Sequence, residues 1–367
     1  TVKAAEDLKR RLEGIGGVDV STIHSWAYTE LENLSKRVRA KDFNNGFKIK
    51  LLQEERIKEI LEELCKKRNY YYIKVGIIYS YVMGNFNMDI RENTKMMFEA
   101  VRRDYIEYKQ HHGLYDFTDL PQYLLDKLDD YDSNISGIDG FFADEFQDVD
   151  EVQLELFDRV IADKKFYIGD PHQAIYMFRG ASEDVIDKID WFKLFELDVN
   201  YRSNQEIIDF ATTFKDKAQY ENVSFAAQLE SYGSRIKCAK GAGGNVHIIN
   251  RAGVAYKVNE FIKSNGYELI AKLMKDMPMI LCRKNKEVRA IKAIGYDKVQ
   301  TVHQAKGLEY PKVIVTDFEI RGLEDINIAY VAMTRAETDL VAAEYGAFIK
   351  ILERLKKNDR LPNNDLF

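Results

Sequence analysis

Two stretches of the chain combine residue types and spacing that could do chemistry. Phe141-Phe142-Ala143-Asp144-Glu145-Phe146-Gln147-Asp148 is an apolar run that stops abruptly at acids, and Ile168-Gly169-Asp170-Pro171-His172-Gln173-Ala174-Ile175-Tyr176 does the same. A buried parallel strand that ends this way delivers polar side chains to the carboxyl edge of a sheet, where open α/β folds bind their ligands. Asp144 and Glu145 have the makings of a metal-and-base pair, one carboxylate for a magnesium ion and one to polarise a water. Gln173 follows the neighbouring strand end, where it could read a phosphate. An adjacent Asp-Glu taken alone is also what a solvated turn contains. The second acid-ended strand and the Gln-Asp and Gly-Asp-x-x-Gln contexts favour the functional reading.

The elements that must position these residues follow from periodicity. A helix over Glu151–Ile161 links the two strands, and such a strand–helix–strand unit forms a right-handed parallel crossover. Upstream, Lys3–Leu12 reads as a helix with Ala4, Ala5, Leu8 and Leu12 on one face, ended by the glycines of Gly14–Gly17. Val18–Ile23 alternates as a strand, so Thr22, His24 and Ser25 leave its end, a useful place for phosphate contacts; a satisfied structural histidine is the plain alternative for His24. From Tyr28 to about Gly113 the chain turns to long charged helical stretches, Ile49–Lys66 and Thr94–Gln110 among them, expected as an all-helical insertion. Within it, Tyr70-Tyr71-Tyr72 reads as core or ordinary surface. The second half repeats the α/β rhythm, with strands expected at Leu194–Val199, Val246–Ile249, Met279–Cys282, Lys298–His303, Lys312–Asp317 and Asp339–Ala342. Helices are expected at Val254–Lys263, Asp325–Thr334 and Phe348–Lys356.

The bulk composition sets bounds. With 367 residues, 46% of them apolar, the chain is long enough for two or three domains. A formal charge of −6 argues against a protein that coats nucleic acid, although a local basic groove remains compatible with it. Core packing accounts for most of the 22 Tyr and 20 Phe. Three scattered cysteines without metal spacing, and no segment of membrane-spanning length, make a reduced cytoplasmic setting the expectation. Thr1 is not an initiator Met, so the chain is expected to be a piece of a longer protein.

An ordered series of motifs resembles the UvrD/Rep-like helicases of superfamily 1. Thr1-Val2-Lys3-Ala4-Ala5 resembles the end of motif Ia, with Val2 where the family has Asn, and Ser21-Thr22-Ile23-His24-Ser25 resembles motif Ib. Tyr115–Leu120 is similar to the family's Asp-Phe-x-Asp-Leu signature, Asp144–Asp148 to motif II, and Gly169–Ala181 to motif III. Asn200-Tyr201-Arg202-Ser203 resembles motif IV, Thr301–Glu309 motif V, and Tyr330–Ala336 motif VI. The resemblance implies two RecA-like lobes of the P-loop NTPase type, each with a parallel sheet, and an all-helical insertion in the first. The implied boundaries are 1–27 and 113–192 for the first lobe, 28–112 for the insertion and 193–367 for the second lobe. By the same resemblance, Asp144 would hold Mg²⁺ and Glu145 orient the attacking water on ATP. Gln173 would sense the γ-phosphate, Arg202 and Arg335 would stabilise its charge, and Glu309 would contact the ribose. Lys3, Thr22, His24, Thr301 and His303 would face the single-stranded DNA, with Tyr176 and Phe178 as stacking platforms beside Arg179. Ordinary lobe packing is the alternative for the two aromatics. The implied polarity is 3′-to-5′, and the partners are single strands and single-strand/duplex junctions.

Departures qualify the resemblance. No G-x-x-x-x-G-K-[ST] phosphate loop occurs in the 367 residues, and Ala239–Gly244 lacks the Lys-Ser or Lys-Thr that one needs. The loop is expected upstream of Thr1, and the chain alone is expected to hydrolyse ATP inappreciably. The accessory domain that relatives insert before motif V is expected to be absent or minimal. The polar tail ending Asn363-Asn364-Asp365-Leu366-Phe367 faintly resembles peptides that dock on sliding clamps. Two further readings stand beside the motor: a non-catalytic helicase-like module that binds DNA or a partner, and the helicase half of a helicase–nuclease whose nuclease is a separate subunit.

Overall fold

The computed structural model describes residues 2–41, 47–84, 90–175, 189, 193–218, 236–258, 260, 262–316, 320 and 322–362. The chain divides into two compact units, Thr1–Gly169 with Arg179–Val185, and Asp170–Phe178 with Ile186–Phe367. The architecture is mixed α/β with parallel sheets, consistent with a RecA-like fold.

The first unit runs α1 (Val2–Arg11), α2 (Ile23–Lys41), α3 (Glu54–Lys67), α4 (Val75–Val82), α5 (Glu92–His112), α6 (Leu120–Asp130), β1 (Ile135–Ala143), α7 (Glu151–Asp158) and β2 (Val160–Tyr167). It holds two separate cores. Ile57, Ile60, Leu61 and Leu64 of α3 meet Ile78 of α4 and Phe98, Val101 and Tyr105 of α5, a self-contained helical cluster at the spacing an amphipathic helix requires. Leu31 and Leu34 of α2 pack with Leu120, Leu124 and Leu128 of α6 and with Ile135, Leu156 and Val160 around the sheet. A short parallel bridge between Leu51 and Tyr115 sits where the chain enters and leaves the helical cluster. β1 and β2 are parallel neighbours, in register from Gly140↔Lys164 to Ala143↔Tyr167, with α7 as their crossover.

The second unit runs β3 (Val199–Asn200), α8 (Gln205–Ala218), β4 (Lys237–Cys238), β5 (Asn245–Ile249), β6 (Val254–Lys257), β7 (Ile262–Asn265), α9 (Gly266–Met274), β8 (Met279–Cys282), α10 (Asn285–Ile294), β9 (Val299–Thr301), α11 (Val302–Ala305), β10 (Tyr310–Thr316), α12 (Leu323–Met333), β11 (Ala336–Ala343) and α13 (Tyr345–Lys357). Its main sheet has the order β7-β6-β5-β11-β10-β8-β9, parallel from β5 to β9. Both faces of the central strands are covered, which is why β8 and Val313–Val315 of β10 are continuous apolar runs. Leu281, Val313, Val315, Leu340 and Ala342 point to the layer containing α8 and α12. Their alternates Ile280, Cys282, Ile314, Val341 and Ala343 point to α9, α10 and α13.

Three local expectations are corrected. Val18–Thr22 forms no strand; Thr22 instead caps α2, its hydroxyl accepting from the Ser25 amide at 3.3 Å. Val254–Lys263 is not a helix but β6 and the start of β7, with β6 antiparallel to both β5 and β7. Gly266, at the start of α9, donates its amide to the Gly253 carbonyl, and a Cβ there would sit 2.3 Å from that oxygen, so only glycine fits. His303 likewise lies in α11 rather than in the strand before it.

Candidate nucleotide and nucleic-acid site

In the first unit the carboxyl ends of β1 and β2 stay locked to each other beyond the regular ladder. The Ile168 amide donates to Ala143 O at 2.8 Å, and the Phe146 amide donates to Ile168 O at 2.9 Å. Asp144 leaves the sheet edge exposed. Glu145 turns back with φ 54° and ψ 38°, a left-handed conformation that costs a non-glycine residue roughly 1–3 kcal/mol. Three contacts hold it there: its amide donates to Asp144 Oδ1 at 2.9 Å, its carbonyl accepts from the Asp148 amide at 2.9 Å, and its carboxylate accepts from the Gln147 carboxamide. Gln147 is itself buried at 2% exposure against Gly169. Two adjacent oxygen-donor side chains at a strand end suit a hard cation, because Mg²⁺ is usually held by one or two carboxylates together with substrate phosphates and water. Among the described residues no cluster of three or more His, Cys, Asp or Glu forms a self-sufficient metal cage.

In the second unit the strongest feature is Arg335, the largest fully buried side chain among the described residues, at 1% exposure. Its Nε donates to Val331 O at 3.0 Å, its Nη1 to Leu308 O at 3.3 Å and its Nη2 to Gln173 Oε1 at 3.1 Å. Gln173 in turn donates to Asp170 Oδ2 at 2.9 Å, and Asp170 also accepts from the His172 amide. Three consecutive carbonyls of this turn are held by side chains of the same unit: Lys306 Nζ reaches Gln173 O at 2.8 Å, Asn327 Nδ2 reaches Ala174 O at 3.1 Å, and His303 Nε2 lies 3.1 Å from Ile175 O. Lys215, buried on α8, has its ammonium 5.6 Å from the centre of the Tyr330 ring, and the His172 ring packs edge-on to that tyrosine. Burial, then the Lys215 charge, depresses the His172 pKa, while burial pushes the Tyr330 phenol up to about 12.

Arg202 is aimed by the turn before α8. Asn200 Oδ1 accepts from the amides of Arg202 and Ser203 at 2.9 and 2.8 Å, and Ser203 Oγ donates to Ala336 O at 2.6 Å. The Arg202 Nε meets Glu309 Oε2 at 3.0 Å, so the two residues expected to take phosphate and ribose are paired with each other.

Gln173, Arg335, Lys306 and His303 therefore converge in one neighbourhood, and Arg202 with Glu309 forms a separate pair. Thr301, only 3% exposed, is the N-cap of α11 and bonds Gln304; His303 is engaged with Ile175 O. His24 stacks on Phe117 with ring centres 5.4 Å apart. Tyr176, Phe178, Arg179 and the tail Asn363–Phe367 lie outside the described residues, as does the side chain of Lys3, whose backbone belongs to α1. Lys306, Asn327 and Lys215 were not singled out from the sequence. Lys306 had a signal in its neighbours His303 and Glu309, whereas Asn327 and Lys215 are ordinary helix residues until the fold brings them to this turn.

A mixed α/β chain with parallel sheets, acids at strand ends and a buried arginine on a glutamine belongs to the RecA-like class. Residues 1–191 match the family model of the UvrD/REP helicase N-terminal domain, and residues 299–343 match that of the UvrD-like helicase C-terminal domain. The chain belongs to the UvrD/Rep helicase family. It is similar to ATP-dependent DNA helicase Rep of Buchnera aphidicola, 29% identical over 268 residues, covering 65% of this chain and 40% of that protein. It is also similar to an ATP-dependent helicase/nuclease subunit of Carboxydothermus hydrogenoformans, 34% identical over 144 residues, covering 35% of this chain and 12% of the relative. RecBCD enzyme subunit RecB of Haemophilus influenzae is 32% identical over 152 residues, 35% of this chain and 12% of its own. The chain thus spans well under half the length of these curated relatives. Among the described residues no helix is long and apolar enough to cross a membrane.

Proposed function

We propose that the chain is the motor part of a cytoplasmic, ATP-dependent single-stranded-DNA translocase or helicase of 3′-to-5′ polarity, working in replication, repair or recombination. The observation that carries this reading is the hydrogen bond between the buried Arg335 guanidinium and the Gln173 carboxamide. A structural arginine has little need of a glutamine on a tight turn beside a strand-end acid. A device that couples a phosphate sensor to a charge-stabilising arginine needs that arrangement. In this reading Asp144 holds Mg²⁺, which when bound neutralises phosphate charge. Glu145, fixed by Gln147, orients the attacking water. Gln173 and Arg335 exchange their mutual contact for the γ-phosphate, and Arg202 and Glu309 separate to take phosphate and ribose. Lys3, Thr22, His24, Tyr176, Phe178, Arg179, Thr301 and His303 form or couple the path of the single strand.

The 367 residues contain no G-x-x-x-x-G-K-[ST] run, so hydrolysis is proposed to need a phosphate loop supplied outside them, and the purified chain to turn over ATP inappreciably. Robust DNA-stimulated ATPase by the purified chain would overturn that part. The rest is tested in a parent protein carrying the loop: Arg335→Ala should lower kcat by about 10³-fold or more with a smaller change in KM. Unchanged kcat would overturn the role of Arg335, and displacement of duplex only from 5′-tailed substrates would overturn the polarity.

The similarity to RecB and to the helicase/nuclease subunit favours a second reading, in which the motor serves a helicase–nuclease with the nuclease on another subunit or segment. Nuclease activity co-purifying with the tagged parent protein, and retained after Glu145→Gln, is its expected signature.

A further inference from the structure

The loop between α3 and α4 presents a surface that the motor reading leaves unused. Residues 66–74, the last two of α3 and the loop to α4, read Lys-Lys-Arg-Asn-Tyr-Tyr-Tyr-Ile-Lys, four cations and no acid in a chain of net charge −6. The fold treats its three tyrosines differently. Tyr70 and Ile73 pack against the helical core, and Arg68 clamps the turn to α5 through two hydrogen bonds to Asp104, at 2.5 and 2.6 Å. Asn69 takes a left-handed φ of 60°, which reverses the chain just before the tyrosines. Tyr71 and Tyr72 are left outward, 71% and 73% exposed. Neither ring dangles: the Tyr71 hydroxyl donates to Asn69 Oδ1 and the Tyr72 hydroxyl to Met97 Sδ, each at 3.1 Å. Two neighbouring large rings held open to water offer faces that a ligand can cover, and their pinned hydroxyls lower the entropy lost on covering them. Lys66 pairs with Glu62 at 2.8 Å, while Lys67 and Lys74, both exposed, lie on either side of the tyrosines in sequence.

We propose that this turn is a base-stacking platform for single-stranded nucleic acid, with Tyr71 and Tyr72 taking bases and Lys67 and Lys74 the phosphates. Charge decides for a polyanion over an apolar protein surface, and aromatic faces flanked by cations are the combination that binds single strands without regard to sequence. The platform lies on the helical part of the first unit, apart in sequence from Tyr176 and Phe178. It draws on the motor reading only for the class of ligand.

The test is fluorescence anisotropy of a labelled oligothymidylate against the full 367-residue chain. Tyr71→Ala with Tyr72→Ala is expected to weaken binding about ten-fold or more, whereas Tyr71→Phe with Tyr72→Phe keeps the rings and stays within about two-fold of the parent. Lys67→Ala with Lys74→Ala should flatten the slope of log affinity against log salt by about 1.4. Because all of these positions are exposed, unchanged circular dichroism confirms that each variant is folded. Equal affinity for the parent and the double alanine variant, or equal loss in the phenylalanine and alanine variants, overturns the platform and leaves the motor reading standing. A parent chain that binds no oligothymidylate overturns both, while the Arg335 kinetics bear on the motor reading alone.

Discussion

At the scale of single residues, the geometry of the carboxylate pair rests on a residue that carries no chemistry. Gly169 lies so close to Gln147 that an added Cβ would sit 2.7 Å from Gln147 Oε1 and 3.1 Å from its backbone nitrogen. Because Gln147 holds the Glu145 carboxylate, any shift it makes is passed to the proposed base. Gly169→Ala should therefore destabilise the protein by about 1–3 kcal/mol, as overpacking of a tight site does, read as a lower urea midpoint with unchanged m-value. Arg335 is the converse case, a charged residue set deep in the interior. Arg335→Met removes the donors to Leu308 O and Gln173 Oε1, while Val331 O keeps the Thr334 hydroxyl at 3.2 Å, and each acceptor left unpaired away from water costs about 1–3 kcal/mol. The expected outcome is a clear loss of stability even without nucleotide, measured by the same unfolding curves.

At the scale of elements, a buried ionic cluster ties the end of α5 to the turn that opens α6. Lys109, 7% exposed at its side chain, bonds Asp116 at 2.7 Å and Asp119 at 2.5 Å, and Tyr105 donates to Asp116 at 3.0 Å. Burial opposes ionisation of Asp116, but the Lys109 charge and the hydrogen bonds from Lys109 and Thr118 hold its pKa below the ordinary value. Burial, then the Asp116 charge, pushes Asp119 up. Lys109→Met would strand the Asp116 carboxylate in the interior beside the half-buried Asp119 and should cost about 3–5 kcal/mol. Adding Asp116→Asn and Asp119→Asn to it should recover part of the loss, because neutral groups tolerate the site better than unpaired charges. Thermal unfolding of the single and triple variants distinguishes the outcomes. The signature Tyr115–Leu120 was visible in the sequence, but its partner on α5 was not, since a lysine near the end of a charged helix looks like every other solvated lysine.

At the scale of the whole molecule, two histidines predict how stability depends on pH. Burial, then a nearby lysine, lowers the pKa of both His172 and His247 from the ordinary 6.5. The folded state thus binds fewer protons than the unfolded chain below that value, so this contribution is fully present above about pH 6.5 and is lost as pH falls toward the folded pKa values. The urea midpoint should be lower at about pH 5.5 than at about pH 7.5, and His172→Gln with His247→Gln should flatten the difference. An unaltered pH dependence in that double variant would assign the effect to other groups.

Much of the architecture was legible because it is written locally. Met279–Cys282 is an apolar run of strand length and forms β8 as expected, and Phe141–Asp148 showed both its strand and the acids at its end. Val254–Lys263 fits helix and strand alike by its apolar spacing, and the antiparallel pairing of β6 with β5 decides between them. Val18–Ile23 does not form its expected strand because the Thr22 cap on α2, a side-chain hydrogen bond, outweighs a weak alternation of apolar residues. The order of the motifs, the family, and the acids that follow the first unit's strands can be read from the residues alone. Only the tertiary structure decided that Gln173 sits on Arg335, that Lys306, Asn327 and His303 grip the carbonyls of its turn, and that Tyr70 goes inward while Tyr71 and Tyr72 stay out. Those pairings join residues far apart along the chain, and no local propensity encodes them: Asp144 and Glu145 could be found by reading, but what Gln173 touches could be found only by folding.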